Sequence, residues 1–300
     1  MADELTCLVA LHSVPGIGHR SLQRLLERFG SAERAVMCVA ESDLRAVAGL
    51  SPEVQRGILA CQRKLPWAER IAQQMRKLRV RPVLSGQPDY PARLNDLSAP
   101  PWILYLLGEA TCFQQPGVAV VGSTKPSPKG KSLAAGIAAR VARAGCAVVS
   151  GMAVGIDQAA HAGAVEVGGS TVFVLPTGIL QFRPGGHFPP IDELLKNAVA
   201  VSELAPETEW TSSAAVARNR IIAALASVVV VVETRSSGGA MHTFRDAQEL
   251  GRPVWVVKYR EAPPSASGNN VAIARGGLPL STLSEVQAII EAAHARSTAG

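Results

Sequence analysis

Apolar positions recur every three or four residues from residue 4 to about residue 78: Leu5, Leu8, Val9 and Leu11, then Leu22, Leu25, Leu26 and Phe29, then Leu44, Val47 and Leu50. That spacing gathers them on one face of successive helices, and β-branched runs are few, so residues 1–78 are expected to form a small all-helical domain. The pattern then changes. Residues 79–110 carry Pro82, Pro88, Pro91, Pro100 and Pro101, which exclude a long helix and leave a connector ending in a strand at 102–107. Over 111–290, unbroken apolar runs at 118–122, 147–151, 170–178, 198–203, 227–233 and 253–258 alternate with helical stretches. Continuous apolar strands separated by helices imply a parallel sheet covered on both faces. In such sheets ligands sit at the carboxyl ends of the strands. Residues 291–300 read as a tail.

Inside the helical segment, LHSVPGIGHRSLQRLL and LRAVAGLSPEVQRGIL follow one plan: an apolar helix end, a glycine-containing turn and a second helix. The first resembles a helix-hairpin-helix, in which glycines let amides at the next helix start face a phosphate. The second has lost one glycine and puts Glu53 where the phosphate would approach, so it reads as scaffold. For the first, DNA contact and simple packing are both open.

Composition narrows the class. A hydrophobic content of 47% in 300 residues supports a large core and excludes a disordered chain, and Ala, Val, Leu and Gly outnumber aromatics, as close-packed α/β proteins require. The formal charge of +6 favours an anionic partner. The five scattered cysteines form no Cys-x-x-Cys pair and read as reduced thiols, with no metal site. The amino terminus lacks the basic start of a secretory signal, and no segment approaches the roughly 20 apolar residues that span a bilayer, so a cytoplasmic protein without a membrane partner is expected.

The candidate chemistry lies at the strand ends. Val121-Gly122-Ser123-Thr124, Val149-Ser150-Gly151-Met152-Ala153-Val154-Gly155 and Pro176-Thr177-Gly178 place glycines and hydroxyls where a helix start would meet an anion. Asp157 and His161 share a helix face. With no nucleophile or metal partner nearby, Asp157 is expected to cap the helix and His161 to bond to the turn. Arg218-Asn219-Arg220 opens an apolar helix, where guanidiniums grip phosphates bidentately, although an intramolecular role for one arginine stays open. Lys125-Pro126-Ser127-Pro128-Lys129-Gly130-Lys131-Ser132 ends like a nucleotide-binding P-loop, but Lys125 replaces its first glycine and two prolines remove N–H groups.

Together, SGMAVGIDQAAHAGAV, GGSTVFVLPTG, ARNRIIAALA, SGGAMHTFRDAQELGRPV and GNNVAIARGG, preceded by DYPARL and APPWILYLLGE, resemble the DNA-processing A (DprA/Smf) family in order and spacing. The likeness covers roughly residues 80–282. It implies a Rossmann-like, largely parallel sheet with helices on both faces behind a small helical domain of SAM or helix-hairpin-helix type. It also implies a non-enzymatic homodimer without cofactor, which binds single-stranded DNA in a basic pocket and loads a RecA-type recombinase during natural transformation. Carried onto this chain, the phosphate pocket comprises Gly122, Ser123, Ser150, Gly151, Gly155, Asp157, Arg218, Asn219, Arg220 and Asn270. The family's Gly-Ser/Thr-Arg appears here as Gly122-Ser123-Thr124-Lys125, so a pocket arginine is missing, and Lys125 and Lys129 are the candidates to replace its charge. With the sequence ending at Gly300, the winged-helix-like domain that many members carry is expected to be absent. A nucleotide-sensing module of the same fold is the alternative, ahead of a nucleotide-processing enzyme. Pro184-Gly185-Gly186 lacks the turn and acid that a nucleotide N-glycoside hydrolase would need.

Overall fold

The amphipathic stretches of the amino-terminal part share one core with α1 (Glu4–His12), a helix so apolar that Thr6, Cys7, Leu8, Val9, Ala10 and Leu11 are all buried. Asp3 caps it by accepting from the Thr6 amide at 3.0 Å. Around it stand α2 (His19–Phe29), α3 (Ala32–Met37), α4 (Glu41–Arg45), α5 (Pro52–Leu59) and α6 (Cys61–Leu78). The computed structural model describes residues 2–297. The two hairpin copies share one backbone turn: Gly16 (φ 78°) and Gly49 (φ 79°) each adopt the left-handed conformation two residues before an N-cap, Gly18 and Ser51 respectively.

The chain then alternates through β1 (Arg81–Leu84), β2 (Ile103–Gly108), β3 (Gly117–Val121), α7 (Pro128–Arg143), β4 (Ala147–Ser150), α8 (Ile156–Glu166), β5 (Thr171–Val174), α9 (Ile191–Leu194), β6 (Ala198–Ser202), α10 (Ser212–Ala217), α11 (Asn219–Leu225), β7 (Val228–Val231), α12 (Ala240–Glu249), β8 (Val254–Val257), α13 (Asn269–Ala274), β9 (Leu278–Leu280) and α14 (Val286–Ser297). Among the described residues the strands form one sheet in the order β1-β2-β6-β5-β4-β3-β7-β8-β9. β3 through β9 pair in parallel, whereas β2 runs antiparallel to both β1 and β6. The six apolar runs therefore supply parallel strands, and the expected strand at 102–107 is β2. The strands β1 and β9 fall outside the expectation. Each contains a proline, Pro82 and Pro279, and each lies at an edge, where a missing N–H costs no ladder bond on the outer side. Of the stretch read as a tail, residues 291–297 continue α14, and 298–300 lie outside the described residues.

Apolar side chains bury both faces. Val118, Val120, Val228 and Val230 pack against α7, α8 and α14, while Ala119, Val229 and Val231 pack against α11 and α12. Ala240, Met241 and Phe244 of α12 belong to the core, with Phe244 fully buried. A third cluster runs from the amino-terminal helices into Ile103, Tyr105, Phe173 and Leu175, so the helical part packs directly on the sheet. Polar contacts fix that docking: His12 Nδ1 lies 3.0 Å from the Tyr105 hydroxyl, His19 Nε2 3.0 Å from Glu203, and Trp67 Nε1 donates to Glu207 at 3.1 Å. The described cysteines are free thiols, all buried but Cys38. Among the described residues, no helix is long and apolar enough to cross a membrane, and no cluster of metal-ligating side chains occurs.

Candidate nucleic-acid interface

Chain order reverses between β3 and β7, and at that switch point the ends of the two strands diverge into a cleft of about 350 Å3. One lip is Gly122 to Lys125, following β3; the other is Thr234 and Arg235, following β7, with Gly238 and Gly239 at the start of α12. Lys125 and Arg235 are exposed. Among the described residues no side chain caps the amino terminus of α12, and its partial positive charge lies beside the space between the lips. Val216, 43% exposed, adds an apolar edge.

Close packing dictates the glycines. A Cβ on Gly122 would meet Ile156 at 2.7 Å and the Glu233 carbonyl at 2.9 Å. Ser123 is pinned by donating its amide to Glu233 O at 2.7 Å and accepting from the Ile156 amide at 3.2 Å, while its hydroxyl accepts from the Lys125 amide at 3.1 Å. Gly155 holds φ 95°, which an L side chain resists, and a Cβ there would lie 2.8 Å from Pro126. These contacts press the turn after β4 against the turn after β3.

Beneath the cleft two buried ionisable side chains, Arg218 and Asp157, lie near enough to feel each other's charge. Arg218, 6% exposed, donates from Nη1 to the carbonyls of Gly151 and Val174, tying the ends of β4 and β5, and Gly151 must be glycine because the guanidinium covers its Cα. Asp157 accepts from the Gly151 amide at 3.2 Å. Burial pushes the Asp157 carboxyl up, with the Arg218 charge opposing it, and burial pushes Arg218 down to about 10. Asp157 thus holds the turn after β4 instead of capping α8, and the Gly151 amide is engaged by it rather than free for a phosphate. His161 bonds to a strand, not to the turn. The Thr171 hydroxyl donates to Val148 O at 2.9 Å, so it accepts from His161 Nδ1–H at 2.6 Å.

The candidate residues therefore separate. Gly122, Ser123, Lys125, Asp157, Arg218 and Asn219 line the cleft, Asn219 donating to Gly239 O at 3.2 Å. Gly151 and Gly155 shape it from below. Ser150 is fully buried, its hydroxyl donating to Val120 O at 2.7 Å. Arg220 points elsewhere, to Glu203 and the Ala99 carbonyl. Lys129 lies over the Tyr259 ring at 5.7 Å, beside a different groove. Asn270 is exposed on α13, and its neighbour Asn269 does the organising: Oδ1 accepts from the Thr234 amide at 2.9 Å, and Nδ2 donates to Val232 O at 2.9 Å and Val257 O at 2.8 Å. Sequence reasoning misses Arg235, Gly238 and Gly239. Their signal is the strand-turn-glycine pattern of 228–239, the same rule that picks out the other three turns.

The P-loop-like segment is closed on a carboxylate. Glu233, fully buried, accepts from the Ser127 amide at 2.9 Å and from the hydroxyls of Ser127 (2.5 Å), Ser265 (2.7 Å) and Tyr259 (3.0 Å), and a Cβ on Gly130 would run into it. The anion this loop cradles is the protein's own. Glu233→Ala, which orphans these donors, should cost roughly 2–4 kcal/mol, read as a lower urea midpoint at unchanged slope.

The buried histidine also sets a pH response. Burial pushes His161 down to about 3 from an ordinary value of 6.5, so the folded state refuses a proton that the unfolded chain accepts. Its contribution is complete above pH 6.5 and is lost as pH falls toward 3. Between pH 7 and 5 the native chain should lose about 2 kcal/mol more than His161→Asn in paired urea titrations. Equal losses would mean that His161 titrates normally.

The model of the family described as DNA recombination-mediator protein A matches residues 81–293, more than two thirds of the chain. The chain belongs to that family. Among curated proteins similar to this member of the DNA recombination-mediator protein A family, the DNA processing protein DprA of Bacillus subtilis is 31% identical over 196 residues, covering 65% of this chain and 65% of that protein. Protein Smf of Synechocystis is 30% identical over 251 residues, covering 82% of this chain and 63% of that one. The chain thus spans just under two thirds of the length of these relatives. The X-ray structure of DprA from Streptococcus pneumoniae has a similar fold, with a TM-score of 0.75 at 24% identity over 94% of this chain and 97% of that one. DNA processing protein A from Helicobacter pylori, described for its single-stranded DNA binding mode, gives a TM-score of 0.63 at 24% identity over 71% and 97%.

Proposed function

We propose that the switch-point cleft holds the backbone of single-stranded DNA. The observation that carries this reading is the convergence of Lys125, Arg235 and the uncapped start of α12 on one cleft in a member of this family. Phosphates would meet the two exposed cations and the helix amides, while the bases would stay largely unread, giving sequence-tolerant binding. Few aromatics line the cleft, so stacking contributes less than the roughly 1–3 kcal/mol per base found on aromatic platforms, and salt should weaken binding steeply. The cleft does no bond-making here: the protein protects the strand in the cytoplasm and hands it to a RecA-type recombinase, with a homodimer setting two clefts along one strand. That role belongs to DNA uptake by natural transformation.

A cleft of about 350 Å3 also matches one nucleotide, which supports nucleotide sensing as the second reading. Fluorescence anisotropy with a labelled oligothymidylate across a salt series, with mononucleotides as competitors, separates the two. Salt-sensitive binding that mononucleotides fail to displace supports the strand reading, and displacement by a low concentration of one nucleotide overturns it.

A further inference from the structure

At the other end of the sheet, where β3, β4 and β5 begin, lies a second cavity of about 310 Å3. Its floor is apolar, formed by Ala147, Val149 and Val172, and its walls carry Arg93, Arg252 and Arg296. Arg93 donates from Nη1 to Gln115 O at 3.2 Å and from Nη2 to the Ser297 hydroxyl at 2.9 Å. The Arg252 side chain, only 11% exposed, pairs through Nη2 with Asp96, while its Nε is buried without a hydrogen-bond partner among the described residues.

Among the described residues the charge here does not balance. One half-exposed carboxylate, Asp96, faces three guanidiniums, and burial, followed by the nearness of Arg252, pushes Arg93 below its usual range. Crowded like charges and a buried orphan N–H each cost free energy. A dianion would relieve both at once, because planar guanidinium forks match phosphate oxygens bidentately. We propose that this cavity binds a small phosphate-bearing ligand, its phosphate held by Arg93 and Arg252 with Arg296 at the mouth and any apolar portion resting on Val149 and Val172. The site is separate from the switch-point cleft and does not rest on the DNA reading.

Isothermal titration of the full chain with orthophosphate and, separately, with thymidine monophosphate tests it, each with and without saturating oligothymidylate. The expected result is saturable binding to one site per chain, unchanged by the oligonucleotide. Arg93→Gln should weaken it about tenfold, the exposed Arg296→Gln less, and Asp96→Asn should tighten it by removing the competing carboxylate. Tightening is an effect that loss of a merely structural ion pair would not produce. Tighter binding of the monophosphate than of orthophosphate places its organic part on the apolar floor; equal affinities identify free phosphate as the ligand. Absence of saturable binding by either probe into the millimolar range, or affinity indifferent to both arginine variants, overturns the proposal.

Discussion

Alanine at Lys125 and Arg235 together should lower affinity for an oligothymidylate roughly 10–100-fold at low salt and leave the urea midpoint unchanged. Both side chains are exposed on the lips of the cleft, so their loss disturbs no packing. Each is expected to neutralise one phosphate, and charge-assisted contacts contribute about 1.5–3 kcal/mol apiece before solvent screening reduces them. The sharper readout is the salt dependence. On single strands log K falls by about 0.7 per neutralised phosphate for each decade of salt, so the double variant should lose about 1.4 from that slope. A variant with wild-type slope and affinity would remove these two residues from the interface.

Arg218→Ala should behave in the opposite way, as a folding defect first. Its guanidinium is buried, bonds the carbonyls of Gly151 and Val174, and offsets the buried Asp157 carboxylate. Removing it leaves two buried carbonyls without that donor and takes a compensating charge from near Asp157, which costs on the order of 2–4 kcal/mol. DNA binding would fall with it, but because β4 and β5 lose their tie, not because a phosphate contact is gone. Urea denaturation distinguishes the two variants. A stable Arg218→Ala protein with a reduced salt slope would return Arg218 to the role of a phosphate ligand.

These contrasts mark what is legible in the sequence. Apolar runs locate β3 to β8, because a strand buried on both faces must be apolar throughout, whereas β1 and β9 escape because edge strands tolerate proline and polar residues. The glycine turns at 122 and 155 are readable for the same reason they are needed: another segment of chain lies too close for a side chain. Partner choice is not readable. An arginine at a helix start looks alike whether it faces a phosphate or, as Arg218 and Arg220 do, a carbonyl or a carboxylate of its own chain. Likewise the pair Asn269-Asn270 gives no hint of which amide turns inward; a rotation of about 100° between adjacent helical residues decides it.

Amide hydrogen exchange of the full chain, with and without a saturating oligothymidylate, tests the central claim most directly. If the strand lies in the switch-point cleft, exchange should slow in peptides covering 122–125 and 234–240 and stay unchanged at the Gly16–Gly18 turn. Protection confined to that helical turn, or to the arginine-lined cavity at the far end of the sheet, would contradict it.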